Sequence, residues 1–254
     1  MIGFMPTASH EPRVEEIHFD AFAASLSARV DLPSRPPRSM VMMLSGVAMF
    51  GLDAERPATR GLQNFGEDLA RAMVASGRGV VRPDPFEADR QADGCVDAVT
   101  SLGRTILEHW PDLPVVHLGL SAAAPLIAVA GDPGTPAAAF ILISPPILET
   151  YGNRPDRLDL ALSESLGIPP EIAADLGARG PMNAGASVAP RALVVHGAAD
   201  VLVPPSDAIG WRASLAAAGV DAARLEIGFA GHDLEPCQEA ALDAIVEHLD
   251  EIDA

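Results

Sequence analysis

Val115-Val116-His117-Leu118-Gly119-Leu120-Ser121-Ala122-Ala123-Ala124-Pro125 is the stretch on which the fold turns. Pro114 to Leu118 is a short apolar run that reads as a buried strand. An Ala-rich, helix-prone segment, Ala122 to Ala130, follows at once. The chain must therefore pass from strand to helix within Gly119-Leu120-Ser121-Ala122-Ala123. A serine at such a corner is held in strained backbone space with its hydroxyl above the sheet, so the residues two before and two after it must be small. Here they are Gly119 and Ala123. The helix that begins at the serine offers free N–H groups and a positive dipole end to charge developing on a reacting oxygen. Pro125 falls within the first turn, where a missing N–H costs little. Gly-x-Ser-x-Ala also arises by chance in chains rich in Ala and Gly, so the corner gains its meaning from what surrounds it.

Towards the N-terminus, Val14 to Asp20 and Ala23 to Asp31 read as two strands, followed by a Pro-rich turn and an apolar strand, Met40 to Leu44. Ser45 to Arg60 reads as a loop. Leu62, Phe65, Leu69 and Met73 share one helical face, and Val96, Val99, Leu102 and Ile106 mark another, with a short strand, Gly79 to Arg82, between them. Beyond the corner lies a buried strand, Ala138 to Ile143. Ile147 to Pro190 is then irregular, with short helices around Leu158 to Leu166 and Pro170 to Leu176. The regular pattern resumes with a strand, Arg191 to His196, a helix, Ser206 to Ala218, a strand, Arg224 to Phe229, and a last helix with Leu242, Ile245, Leu249 and Ile252 on one face. Eight strands, most of them alternating with helices, predict an α/β fold with a mainly parallel sheet covered on both faces. Reactive groups in such sheets gather at the carboxyl ends of the strands.

Two further residues fall at such ends. Asp200 follows the strand Arg191 to His196 within Gly197-Ala198-Ala199-Asp200-Val201-Leu202-Val203-Pro204, where a carboxylate can orient an imidazole. Taken singly it reads equally well as a loop or N-cap residue. His232 follows the strand ending at Phe229, on the Gly-containing loop Ala230-Gly231-His232-Asp233, from which a general base can swing over the sheet edge. Ser121, Asp200 and His232 thus stand in the chain order Ser…Asp…His, each past a predicted strand, and together they form a candidate triad. His117 and His196 lie in or at the end of buried strands and read as hydrogen-bonded core histidines, while His10, His18, His109 and His248 read as peripheral.

With 254 residues, one large domain is expected over 1–254, with 147–190 as an insertion. The chain has 17 Arg and no Lys, which reads as a composition bias of the source genome. A net charge of −18 argues against nucleic acid or an anionic membrane as partner. No apolar run approaches the length of a membrane span and no export signal is evident, so a cytoplasmic protein is expected. Cys95 and Cys237 show no metal-ligand spacing and read as free structural thiols.

On Gly119-Leu120-Ser121-Ala122-Ala123, on Gly197 to Pro204 and on Gly231-His232, the chain resembles the α/β-hydrolase-fold serine hydrolases, in particular compact bacterial esterases, thioesterases and lactonases. The resemblance runs from Val14 to Ile252. It implies Ser121 as nucleophile, His232 as general base and acid, and Asp200 as the group that holds His232 in its working tautomer. It implies an oxyanion hole made by the N–H of Ala122 and a second N–H from the loop after the third strand, from Val47 or, as the lesser choice, Gly46. That loop reads Ser45-Gly46-Val47 where the family usually has His-Gly. Ala123 stands where the corner commonly has Gly. Asp84-Pro85-Phe86-Glu87 replaces the family's Asp-aromatic-Arg-Gly turn. Residues 147–190 occupy the position of a small cap. Ile147, Leu148, Tyr151, Leu158, Leu162 and Met182 are the candidates for a substrate-facing wall, with Gly46, Met49 and Phe50 from the oxyanion loop. The expected reaction is hydrolysis of a small-to-medium carboxylic ester, with no metal or organic cofactor. A thioesterase or lactonase would use the same residues, and an acyltransferase or a ligand-binding protein with an idle triad are the other readings. A serine at the corner argues against dehalogenase and epoxide-hydrolase chemistry, which calls for a carboxylate there. Oligomeric state is open.

Overall fold

Strands whose successive side chains fill two separate apolar layers organise the chain. A computed structural model describes residues 12–21, 24–50, 57–85, 92–130, 136–148 and 189–253. Its strands are β1 (Arg13–Ala21), β2 (Ala24–Leu32), β3 (Met40–Leu44), β4 (Gly79–Pro83), β5 (Val115–Leu120), β6 (Ala139–Ile143), β7 (Arg191–Gly197) and β8 (Asp221–Ile227). They form one eight-stranded sheet in the order β1-β2-β4-β3-β5-β6-β7-β8. The β1–β2 hairpin joins β4 antiparallel, and every pairing from β3 onward is parallel.

The described helices are α1 (Gly46–Phe50), α2 (Pro57–Ala75), α3 (Ala92–His109), α4 (Ala123–Val129), α5 (Pro205–Ala217) and α6 (Gln238–Ile252). Helices α2 and α6 cover one face, where Phe65, Leu69, Met73, Ile245 and Leu249 meet Val41, Val116, Leu118, Ile141 and Val195. On the other, α3, α4 and α5 bring Leu102, Ile127 and Trp211 against Met42, Phe140 and Val194. Strands buried on both faces need apolar residues at every position, which is why β3, β5 and β6 read as continuous hydrophobic runs. The hairpin strands face solvent on one side and alternate over their inner halves, Ile17, Phe19 and Ala21 being buried in β1.

Three boundaries depart from the sequence reading. The expected loop Ser45 to Arg60 holds the single turn α1 and, from Pro57, the start of α2. β5 runs on to Leu120 because Gly119 and Leu120 still pair with Leu142 and Ile143 of β6. β8 occupies Asp221–Ile227 rather than Arg224 to Phe229. Its start, Asp221-Ala222-Ala223, has little strand propensity of its own and is recruited by the ladder to β7, which begins at Arg191 opposite Asp221. Phe229 leaves the sheet at φ 62 and is exposed.

Charge closes the amino end of β4. The buried Arg78 guanidinium pairs with Asp250 and Asp253 at 2.8 and 2.6 Å and ties the α2–β4 turn to the end of α6. Among the described residues no helix is long and apolar enough to cross a membrane.

Candidate active site

The carboxyl ends of β3, β5, β6, β7 and β8 lie at the other edge, and the backbone there is unusual. The described non-glycine residues with positive φ are Ser121, Ser144, Phe229 and Leu234, and each follows one of these strand ends. Such a backbone costs about 1–3 kcal/mol per residue and persists only where the surroundings impose it. At Ser121, φ is 50° and the N–H donates to Ile143 O at 2.8 Å, so the corner is anchored to the neighbouring strand. Gly119 is required by the tightness of the turn, since a Cβ there would lie 2.5 Å from Ala124 Cα. The methyl of Ala123 is fully buried against the same corner.

A second close passage brings the other two residues in. β7 ends at Gly197, where a Cβ would fall 2.2 Å from Gly231 O and 2.4 Å from Ala230 O. The loop after β8 thus crosses the β7 exit in backbone contact, fixed by Ala199 N–H donating to Ala230 O at 2.9 Å. That crossing sets His232 above Asp200.

Ser121, His232 and Asp200 form one chain of hydrogen bonds. Ser121 Oγ lies 2.8 Å from His232 Nε2, and His232 Nδ1 lies 2.7 Å from Asp200 Oδ2. The carboxylate facing Nδ1 can only accept, so Nδ1 carries a hydrogen and Nε2 is free to accept from the serine hydroxyl. All three side chains are buried. The Asp200 carboxylate is fully engaged. Its Oδ1 accepts from the N–H groups of Leu202 and Val203 at 2.8 and 2.9 Å. Burial alone would raise the Asp200 pKa, but the hydrogen bonds from His196 and His232 and the backbone N–H of Val203 outweigh it and hold the carboxyl below the usual carboxylate range. The arrangement can move a proton from Ser121 to His232 with a fixed anion behind the imidazole.

Two groups that the sequence reading did not assign to this site support it. His196, expected as a core histidine, is buried, and its Nε2 lies 3.1 Å from Asp200 Oδ2 and 3.0 Å from Val203 O. Ser144, at the end of β6, donates from Oγ to the backbone carbonyl of His232 at 3.0 Å. The signals available were a histidine four residues before Asp200 in an apolar strand, and a serine between a buried strand and Pro145-Pro146.

The other candidate residues are spread differently. Neither the Ala122 N–H, past β5, nor the Val47 N–H, in α1, has a backbone acceptor among the described residues. The Ser45 hydroxyl accepts from Ala48 N–H at 3.3 Å and braces the loop that carries Gly46 and Val47. Met49 does not face an open pocket as expected. It is buried among Phe19, Leu44, Val99 and Leu102, because the single turn of α1 points it back at α3. Leu148 is likewise buried in the core, and Ile147 packs on Gly210 of α5. The peptide there is pinned by Ile147 N–H donating to Asp207 at 2.9 Å and by Trp211 Nε1–H donating to Pro146 O at 3.0 Å. Tyr151, Leu158, Leu162 and Met182, the Phe50 side chain and nearly all of the expected cap lie outside the described residues. A groove of about 870 Å³ lies at the opposite edge of the sheet, between the hairpin and α2. Its Arg29 and Arg82 are paired with Asp31 at 2.8 and 2.7 Å. Among the described residues no group of three or more His, Cys, Asp or Glu could hold a metal ion. Cys95 and Cys237 are free thiols, and burial pushes the pKa of Cys95 up to about 11.

No family model and no curated protein matches the sequence. Solved structures do match the fold. Est1E from Butyrivibrio proteoclasticus superposes with a TM-score of 0.70 at 14% identity, over 93% of this chain and 98% of its own. A hyperthermophilic esterase from the archaeon Pyrobaculum calidifontis gives 0.69 at 21% identity, over 95% and 85%. An α/β serine hydrolase without lid from Xanthomonas campestris gives 0.64 at 16% identity, over 97% and 95%. The chain has the α/β-hydrolase fold. In α/β-hydrolase terms, Ser121 occupies the strand-to-helix corner after β5, Asp200 the loop after β7 and His232 the loop after β8.

Proposed function

We propose that the protein is a serine hydrolase of carboxylic esters that works through an acyl-enzyme on Ser121. The observation that carries this reading is the pair of contacts, 2.8 and 2.7 Å, linking Ser121 Oγ through His232 to Asp200. Among the structural neighbours, the Pyrobaculum calidifontis protein bears the name esterase and the Xanthomonas campestris protein the name serine hydrolase, which agrees with it. In this mechanism Ser121 Oγ bonds to the carbonyl carbon as its proton passes to His232 Nε2, and Asp200 stabilises the imidazolium. The oxyanion is held by the N–H groups of Ala122 and Val47, each lowering the barrier by roughly 3 kcal/mol. His232 then protonates the leaving alcohol as the carbon–oxygen bond to it breaks. Water repeats the sequence on the acyl-enzyme, giving its proton to His232, and Ser121 departs with that proton restored. A small-to-medium acyl ester is the proposed substrate, and a thioester or lactone would be handled by the same groups.

The test is hydrolysis of p-nitrophenyl esters of increasing acyl length, with acyl thioesters and lactones alongside, by wild type and Ser121→Ala. The expected result is turnover that favours short or medium acyl groups and disappears in the variant. A panel that wild type leaves intact, or turnover that survives Ser121→Ala, overturns the proposal.

A further inference from the structure

Asp200 Oδ2 receives two histidines rather than one. His232 Nδ1 is 2.7 Å away and His196 Nε2 is 3.1 Å away. His196 Nε2 also lies 3.0 Å from Val203 O. Both atoms facing that nitrogen are acceptors, so Nε2 bears a hydrogen shared between them, and the tautomer of His196 is fixed. Its Nδ1 is buried without a hydrogen-bond partner among the described residues. A buried ring that leaves one nitrogen unmet is costly as packing alone. An apolar residue would fill this place in the layer formed by Val194, Val203 and Trp211 without that cost. What His196 adds is one N–H donated to Val203 O, with an oxygen of the carboxylate that must also hold His232 lying 3.1 Å from the same nitrogen.

We propose that His196 is a positioning residue. Its Nε2–H clamps Asp200 Oδ2 and the 197–204 loop together, so that the carboxylate cannot rotate away from His232 Nδ1. With Oδ1 held by two backbone N–H groups and Oδ2 by two imidazoles, the plane of the carboxylate is fixed from four directions. Loss of the clamp leaves Asp200 present but free to librate, and the fraction of time in which His232 has the geometry to accept the Ser121 proton falls. The inference rests on the hydrolase reading for its kinetic consequence, but not for its structural one.

The test therefore has two readouts. In 15N-histidine spectra of the wild-type protein, His196 is expected as the Nε2–H tautomer, and a Nδ1–H tautomer overturns the proposal without any variant. The Nδ1–H proton of His232, assigned by its loss in Asp200→Asn, is expected to shift or broaden in His196→Leu and to return towards its wild-type position in His196→Gln, whose side-chain amide restores a donor. Where wild type turns over an ester, His196→Leu should lower kcat by about tenfold to a hundredfold with little change in KM, and His196→Gln should recover most of it. An unshifted His232 resonance in folded His196→Leu, or equal losses in the Leu and Gln variants, assigns His196 to packing and overturns the proposal. If wild type is inert on every ester, the hydrolase reading fails while the spectra still decide whether His196 positions Asp200. If His196→Leu does not fold, His196→Met takes its place, and the wild-type tautomer remains decisive.

Discussion

His117 and His232 are both buried imidazoles of the same sheet, and the fold treats them in opposite ways. His117 sits in the middle of β5, its ring tilted against Phe140 at 6.0 Å and its Nδ1 without a hydrogen-bond partner among the described residues. Burial alone acts on it and pushes its pKa down to about 4. His232 lies beyond the end of β8, with Ser121 at one ring nitrogen and Asp200 at the other. Burial by itself therefore disables an imidazole, and partners at both nitrogens turn the same burial into pre-organisation. Strand ends can supply those partners because the backbone there is released from the ladder. A strand interior cannot, since its neighbours are fixed by register and chosen for packing.

The comparison breaks most sharply at Ser121. Ser121→Ala removes the proposed nucleophile while leaving the corner intact, and turnover should fall by roughly a millionfold. Its unfolding midpoint in urea should stay near that of wild type, so a large loss of stability would mean that the hydroxyl serves the fold instead. Asp200→Asn comes next. It offers His232 Nδ1 an amide that can present either oxygen or nitrogen, so the imidazole is no longer held in its working tautomer, and kcat should fall by about 10⁴ with KM little changed. A fall of less than tenfold would show that His232 keeps its tautomer without Asp200. Val47→Pro tests a backbone group at the third strand end. Proline is tolerated in the first turn of a helix but has no N–H, so kcat should drop by roughly a hundredfold or more, whereas Val47→Ala, which keeps the donor, should not. Equal rates in the two variants would move the second oxyanion donor away from Val47.

What could be read in the sequence follows the same division. Ser121, Asp200 and His232 each follow an apolar run and sit near a glycine, so residue type and position both point to a strand exit. The close passages at Gly119 and Gly197 account for why those glycines are there. His196 was opaque because it looks like His117: both are single histidines in runs of Val and Leu. Only the three-dimensional return of Asp200 onto Nε2 separates them. Met49 misled for a related reason. Its place after the oxyanion loop suggested a pocket wall, but one turn of helix is enough to reverse the direction of a side chain, and Met49 entered the core instead. The start of β8 was hidden because Asp221-Ala222-Ala223 owes its strand conformation to β7, a partner 30 residues away in the register of Arg191 with Asp221. Propensity carries no trace of such a pairing.

The smallest effect separates the two histidines by stability rather than by rate. Because the folded value of His117 lies below its ordinary 6.5, the unfolded chain takes up a proton as pH falls through 6.5 while the native protein refuses one until about 4. The stability present above pH 6.5 is thus lost progressively through that window, by roughly 3 kcal/mol in all. His117→Leu has nothing to protonate and similar volume, so urea unfolding should show a shallower loss on acidification than in wild type, with turnover at neutral pH unchanged. His232 should show the reverse pattern, since replacing it abolishes turnover at every pH. If His117→Leu instead retained the full loss between pH 6.5 and about 4, its source would have to be another group that titrates in that window. That group would not be Asp200, whose depressed pKa withdraws its stabilisation only as pH falls below the ordinary carboxylate range. Burial of His117 would then be inert, and the contrast between the two imidazoles would rest on His232 alone.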